Sequence, residues 1–316
     1  MQYQEKSAKQ VFGKGGLNLK LLKNKTTGDI VFDIVNYAFL TVIGLISLYP
    51  LIFILSASVS DPIKIWNGEV WLLPKGVSLE GYMRILKDSD LWRGYSNSLG
   101  YTVLGTSISL ILTILAAYPM SRKDFKAKNI LMAVYTFTMF FNGGLIPTYL
   151  LVRNIHMLDT IWAVILPTAV STTNIIISRT FFQSNIPDAL YEAAEIDGCS
   201  DFRFFISMVL PLSGAIIAVM ALFDGVKHWN AYFNALIYLT DRNKFPLQLY
   251  LREILIESQA VDDTNFGFQQ EATEHLQFAE MIKYGLIVVS SVPMLIIYPF
   301  VQKYFIKGVM IGSVKG

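Results

Sequence analysis

Charged and apolar positions in this chain fall into separate blocks. Residues 34–60, 94–121, 129–152, 160–178, 204–223 and 284–302 contain no Asp, Glu, Lys or Arg. Each block is about long enough to predict a helix of ~17–25 residues, the length that crosses a hydrocarbon core. Helices buried in soluble proteins are usually shorter and keep a polar stripe, which these blocks lack. The pattern therefore predicts an all-α integral membrane protein with six transmembrane helices over residues 33–306. A tail of residues 1–32 precedes this domain and a tail of residues 307–316 follows it. The first block far exceeds the ~7–15-residue apolar core of a cleavable signal. Ser56-Ala57-Ser58 lies inside that block, so the first helix is expected to remain as a span.

Composition agrees with this reading. Of 316 residues, 53% are hydrophobic and only 16% charged, and the mean hydropathy is +0.45. Lys6, Lys9, Lys14, Lys20, Lys23 and Lys25 precede the first span against only Glu5 and Asp29. Arg122, Lys123, Lys126 and Lys128 follow the second span against Asp124, and the end of the chain carries Lys303, Lys307 and Lys315. The positive-inside rule puts all three in the cytoplasm, as an even number of spans requires. The expected location is the cell (cytoplasmic) membrane, multi-pass, with both termini cytoplasmic. Segments 61–93, 153–159 and 238–283 then lie outside, the last holding eight acidic and four basic residues.

Cys199 is the only cysteine, so no internal disulfide can form. The lysines sit at span ends and form no stripe, so the net charge of +2 does not suggest nucleic acid as a partner. Pro50, Pro119, Pro147, Pro167, Pro211, Pro293 and Pro299 fall in or at the ends of the spans. Each proline in a membrane helix frees a carbonyl that needs another partner, which favours a cavity or moving helices over a simple anchor.

One inner loop breaks the charge pattern. Between 183 and 207 it carries Asp188, Glu192, Glu195, Asp197 and Asp201 but only Arg203. Pro187 and Asp188 suit a helix start, and Ala193 and Ala194 favour helix while leaving room for a partner's surface. Gly198 fits a left-handed helix end, and Ser200 fits the cap of a second helix. The prediction over residues 183–211 is a helix, a glycine turn and a helix at the membrane face, with the acidic charge read as a docking feature.

The spacing of Glu192, Ala193, Ala194, Gly198, Met208, Leu210 and Pro211 resembles the EAA loop of ABC importer permeases, with Met208 where the family usually has Ile. Residues 142–150, Leu158-Asp159-Thr160, Trp229-Asn230 and the ending 312–316 are similar to the carbohydrate branch, the polysaccharide-type permeases related to the smaller maltose permease subunit. The resemblance implies a type I ABC importer permease fold. It also implies that residues 183–211 are a coupling loop, with Glu192, Ala193, Ala194, Asp197, Gly198, Met208, Leu210 and Pro211 meeting an ATPase. Implied partners are a second homologous permease, two ABC ATPase subunits, an external solute-binding protein, membrane lipid and a glycan cargo. Similar permeases meet the binding protein through the loop between the last two spans; a membrane-surface helix is the competing reading for that segment.

The chain has no Gly-x-x-x-x-Gly-Lys-Ser/Thr phosphate cradle, since Gly13-Lys14-Gly15-Gly16 does not fit it. No cofactor is expected in this chain, and ATP and magnesium are expected on the partner ATPase. His156, His228 and His275 form no ligand pattern, so no metal site is expected. No Ser/His/Asp arrangement stands out, so the chain itself is not expected to be an enzyme.

For the cargo, Asp224, Lys227, His228, Trp229 and Asn230 cluster near the end of span five, with Asn174 in span four. Counted along one helix from Pro211, Trp229 would lie roughly 27 Å away, in the outer half of the membrane. Intramembrane charge usually faces a cavity or a partner, and an indole face can stack on a pyranose ring. The competing readings put the span-five residues at the headgroup level, where Trp is common, and make Asn174 a helix-helix hydrogen-bonding residue. Rival functions are a permease for a peptide or polyol, an ion-coupled secondary transporter, and a membrane scaffold without cargo.

Overall fold

The computed structural model describes residues 26–264 and 281–299. The sequence features in 1–25, 265–280 and 300–316, among them the lysine-rich tails and the 312–316 ending, lie outside the described residues. Every regular element described is helical. The chain divides into two compact units, residues 1–53 and 54–316.

Helix α1, Thr27–Ser58, runs for 32 residues. Thr26 and Asp29 start it reciprocally: the Thr26 amide donates to Asp29 Oδ2 at 2.9 Å and the Asp29 amide to Thr26 Oγ1 at 3.3 Å. At 1.5 Å per residue it is roughly 48 Å long, more than a bilayer core needs. From Ile34 onward it carries no charged residue, as a lipid-facing helix requires. Short helices α2, Pro62–Trp66, and α3, Glu80–Lys87, follow.

The long α4, Ser89–Ser121, organises the second unit. Asp88 caps it through the Asp90 amide at 2.8 Å. Gly94, Ser98, Gly105, Ser109, Thr113 and Ala117 are buried along it at near four-residue spacing. Small residues in that register let membrane helices approach closely. A Cβ on Gly105 would stand 2.7 Å from the His228 ring, and one on Gly94 3.2 Å from Leu247 Cα.

Three of the charge-free blocks are broken rather than continuous. Helices α5, Lys128–Phe140, and α6, Leu145–Asn154, meet at 114°. The break falls at Asn142-Gly143-Gly144, where Gly144 has φ 87°. Helix α7, Ile161–Ile165, and the 3₁₀ turn Leu166–Thr168 meet α8, Thr172–Asn185, at 53°. Ser171 restarts that helix by accepting the Asn174 amide at 3.4 Å. After α9, Asp188–Ile196, helix α10, Asp201–Phe204, passes through a π-turn, Phe205–Val209, to Leu212. A 79° bend at Ser213 then leads into α11, Gly214–Trp229. The single helix counted from Pro211 to Trp229 is therefore corrected: the straight part begins at Gly214. Thr27–Ser58, Ser89–Ser121 and Met281–Pro299 are long and apolar enough to cross a membrane unbroken; each bent pair adds one span if taken together.

Helices α12, Phe233–Tyr238, and α13, Leu247–Thr264, precede α14, Met281–Pro299. Within α13, Leu247, Leu249 and Leu251 are buried against the N-terminal half of α4 and against α14. Asp159, in left-handed backbone at φ 56°, ties its own loop to residues 240–244. Its Oδ1 accepts the amides of Thr240 and Asp241 at 3.1 Å, and Lys244 Nζ reaches its Oδ2 at 3.0 Å. Tyr101 on α4 donates its hydroxyl to the Lys244 carbonyl at 2.7 Å, fixing this knot to the long helix.

Candidate functional site

Residues 183–211 fold as an elbow. Pro187 stands before α9 as its cap residue, and Asp188 opens the first turn. Gly198 takes φ 70°, its amide donating to the Glu195 carbonyl at 3.0 Å while the Cys199 amide reaches the Ala194 carbonyl at 2.9 Å. These bonds satisfy carbonyls that a helix end otherwise leaves open. Ser200 caps α10 through the Arg203 amide at 3.4 Å.

The elbow has an outer and an inner side. Glu192, Ala193, Asp197 and Gly198 are exposed, with Ile196 at 86% and Phe202 at 72% exposure. Ala194 points the other way and is 4% exposed, packed with Tyr118, Phe182, Phe204 and Phe205. Reading Ala193 and Ala194 as a pair that admits a partner is thus corrected: Ala194 is small because the chain's own core covers it. Met208 is 38% exposed, Leu210 half-buried and Pro211 exposed.

Part of the loop's acidity is neutralised internally. Lys123 Nζ lies 2.5 Å from Asp188 Oδ2, and Arg122 Nη1 donates to Asp201 Oδ1 at 2.8 Å. Arg122 also makes a two-pronged pair with Asp124 at 2.8 and 2.7 Å, and its guanidinium lies 3.6 Å from the centre of the Tyr191 ring. These partners hold the guanidinium charged and pull the Asp124 carboxyl below its ordinary value. Glu192, Glu195 and Asp197 are exposed on the same loop. A cleft of about 660 Å³ opens between the 122–128 loop and α9.

Of the candidate cargo residues only Trp229 and Asn230 border a common groove; Asn174, Asp224, Lys227 and His228 do not line it. Asp224 and Asn174 are buried and joined by a 3.0 Å bond from Asn174 Nδ2 to Asp224 Oδ1. Lys227 Nζ donates to the Thr168 carbonyl, and His228 Nε2 lies 3.1 Å from Ser109 Oγ. Trp229 is 3% exposed, packed among Ile85, Leu91, Leu247 and Leu286, with Nε1 donating to the Ser290 carbonyl at 3.3 Å. The picture of its indole face open to a sugar is corrected, because core side chains cover it. Consecutive residues of a helix point about 100° apart, so this run had to spread over several faces. Asn230 is exposed and lines a groove of about 750 Å³ with Tyr232, Arg252, Lys283 and Tyr298.

No protein-family model matches the chain. A polygalacturonan/rhamnogalacturonan transport system permease protein of Bacillus subtilis is 41% identical over 288 residues, covering 90% of this chain and 99% of that one. An arabinooligosaccharides transport system permease protein of Halalkalibacterium halodurans is 27% identical across 93% of this chain and 100% of its own length. The crystal structure of a bacterial ABC transporter involved in the import of the acidic polysaccharide alginate matches with a TM-score of 0.79 and 33% identity. That match covers 89% of this chain and 99% of that one. The chain belongs to the sugar ABC transporter permeases.

In this permease the bends and buried polar bonds fit a membrane-embedded transport subunit. Arg122 and Tyr191 join the site only through the fold, since neither stands in the Glu192–Pro211 spacing. The readable signal was a basic pair, Arg122-Lys123, set against an acidic loop. Arg252 carries no sequence signal of its own, since nothing local shows that Leu247, Leu249 and Leu251 pack against α4 and α14.

Proposed function

We propose that this permease is one half of the membrane channel of an ATP-driven importer for acidic oligosaccharides. A second homologous permease completes the channel, two ABC ATPase subunits bind ATP and magnesium and carry out hydrolysis, and an external solute-binding protein delivers the glycan. Six spans, counting each bent pair once, leave both termini in the cytoplasm and the 183–211 elbow on the ATPase side. Glu192, Ala193, Asp197 and Gly198 form the docking face, and Met208, Leu210 and Pro211 carry the second arm into span five. Closure of the ATPases moves the elbow and turns the channel outward; hydrolysis resets it.

The observation that carries the drive is the shape of the elbow: two capped helices around the left-handed Gly198, with Ile196 and Phe202 exposed beside it. An acidic cargo is supported by two relatives, one of polygalacturonan/rhamnogalacturonan transport and one of alginate import. The groove at Asn230 also fits, since Arg252 lines it. Arg252 lies 5.5 Å over the Tyr232 ring, a cation beside a flat apolar face.

The test is to purify the assembled transporter, identify its subunits by mass, and measure ATP hydrolysis with oligogalacturonates and with neutral arabino-oligosaccharides. Stimulation by the acidic series alone supports the proposal. Stimulation by the neutral series alone moves the cargo to neutral glycans, and failure of ATPase subunits to copurify rejects the drive.

A further inference from the structure

The elbow joins α8 through Ile186-Pro187, packs Ala194 with Tyr118 and Phe182, and pairs Asp188 with Lys123; two further connections tie it to the other helices. One is covalent, through α10 into α11, and it passes a π-turn and the 79° bend at Ser213. Such irregular turns are places where a helix gives rather than pushes. The other runs through Arg122, the residue that caps the end of α4 with its amide on the Pro119 carbonyl at 3.1 Å.

Arg122 gathers groups from three places in the chain. Its two-pronged pair with Asp124 fixes the plane of the guanidinium. That plane lies 3.6 Å from the centre of the Tyr191 ring on the first arm of the elbow. Its Nη1 bonds Asp201 on the second arm at 2.8 Å, and the Tyr191 hydroxyl donates to the same Asp201 oxygen at 3.2 Å. One side chain, only 13% exposed, thus locks both arms to each other and to α4. The end of α4 is secured to its neighbours as well: Lys128 Nζ donates to the Arg122 carbonyl at 3.1 Å, and Arg179 Nε on α8 donates to the Met120 carbonyl at 2.9 Å.

As stability these ion pairs are worth little, because Asp124 and Asp201 are 62% and 74% exposed. As geometry they are specific, since a planar five-donor fork can hold two carboxylates while stacked on a ring, and an ammonium cannot.

We infer that Arg122 is the positioning residue that makes the elbow and α4 move as one body, so that ATPase closure reaches the small-residue face of α4 and the helices packed on it. The inference rests on the coupling role proposed for the elbow. It concerns a residue outside the 183–211 loop.

The test uses the assembled transporter in a Cys199→Ser background, with nitroxides on cysteines placed at exposed Arg203 on α10 and exposed Leu115 on α4. The wild-type distance distribution is expected to be single and narrow, and to at least double in width in R122Q and R122K. Reconstituted with trigalacturonate as the probe, both variants are expected to lose about five-fold or more in sugar moved per ATP hydrolysed, a ratio that the amount of folded protein does not alter. A wild-type distribution width in R122Q overturns the inference. R122K covers the case in which R122Q fails to assemble, and an unchanged width there overturns it equally. If wild-type complex moves no trigalacturonate, the cargo assignment alone fails and the distance measurement still decides. If the elbow does not cross-link to an ATPase subunit, the coupling proposal fails by itself.

Discussion

Asn174 Nδ2 donates to Asp224 Oδ1 at 3.0 Å, joining α8 to α11 through two buried side chains. The other oxygen, Asp224 Oδ2, has no hydrogen-bond partner among the described residues. Asn174→Leu therefore strips the carboxyl of its described partner. It is expected to lower the melting temperature of the purified permease by the equivalent of about 1–3 kcal/mol, the usual cost of a buried polar group left unpaired. Adding Asp224→Leu should recover most of that loss. A single variant that melts like wild type would refute the role of this pair.

Two glycines on facing helices should respond oppositely to the same change. A Cβ on Gly105 meets the His228 ring at 2.7 Å, whereas one on Gly225 finds Thr106 Oγ1 at 3.7 Å, an ordinary contact. Gly105→Ala is expected to destabilise by about 1–3 kcal/mol through overpacking. Gly225→Ala should be neutral or gain up to about 1 kcal/mol from helix propensity. Parallel melting curves check the contrast, and equal responses would contradict the close α4–α11 packing.

Asp159 gives a pH dependence. The Asp241 amide first, then Lys244 and the Thr240 amide, hold its carboxyl at about 2. The ordinary value in an unfolded chain is about 4. A depressed folded value means that the contribution is fully present above about pH 4 and disappears as pH falls through about 2. Melting of wild type and Asp159→Asn between pH 5 and 2 should therefore converge as pH falls. A constant difference across that range would show that the Asp159 charge does not hold the 159–244 knot.

Much of this architecture is legible in the sequence, and the exceptions have physical causes. The charge-free blocks mark apolar helices because charge is costly in lipid, whatever the tertiary contacts. The elbow is legible because Gly198 and Ser200 act locally, through a left-handed turn and a cap. The bends at Asn142-Gly143-Gly144 and Ser171 carry local signals too, but an unbroken apolar count conceals them. Arg122 is not legible as a brace, since its partner Asp201 lies 79 residues away and only the fold unites them. The covering of Trp229 is hidden for the same reason: Leu247 and Leu286 reach it from segments that look external or remote.

The measurement that bears most directly on the central claim is oligogalacturonate uptake per ATP hydrolysed by the reconstituted transporter, wild type against Gly198→Val. A β-branched residue in this left-handed turn is strained by about 1–2 kcal/mol, which should cut the ratio about ten-fold while the permease still inserts and binds its ATPases. Uptake per ATP at the wild-type level in Gly198→Val would contradict the account.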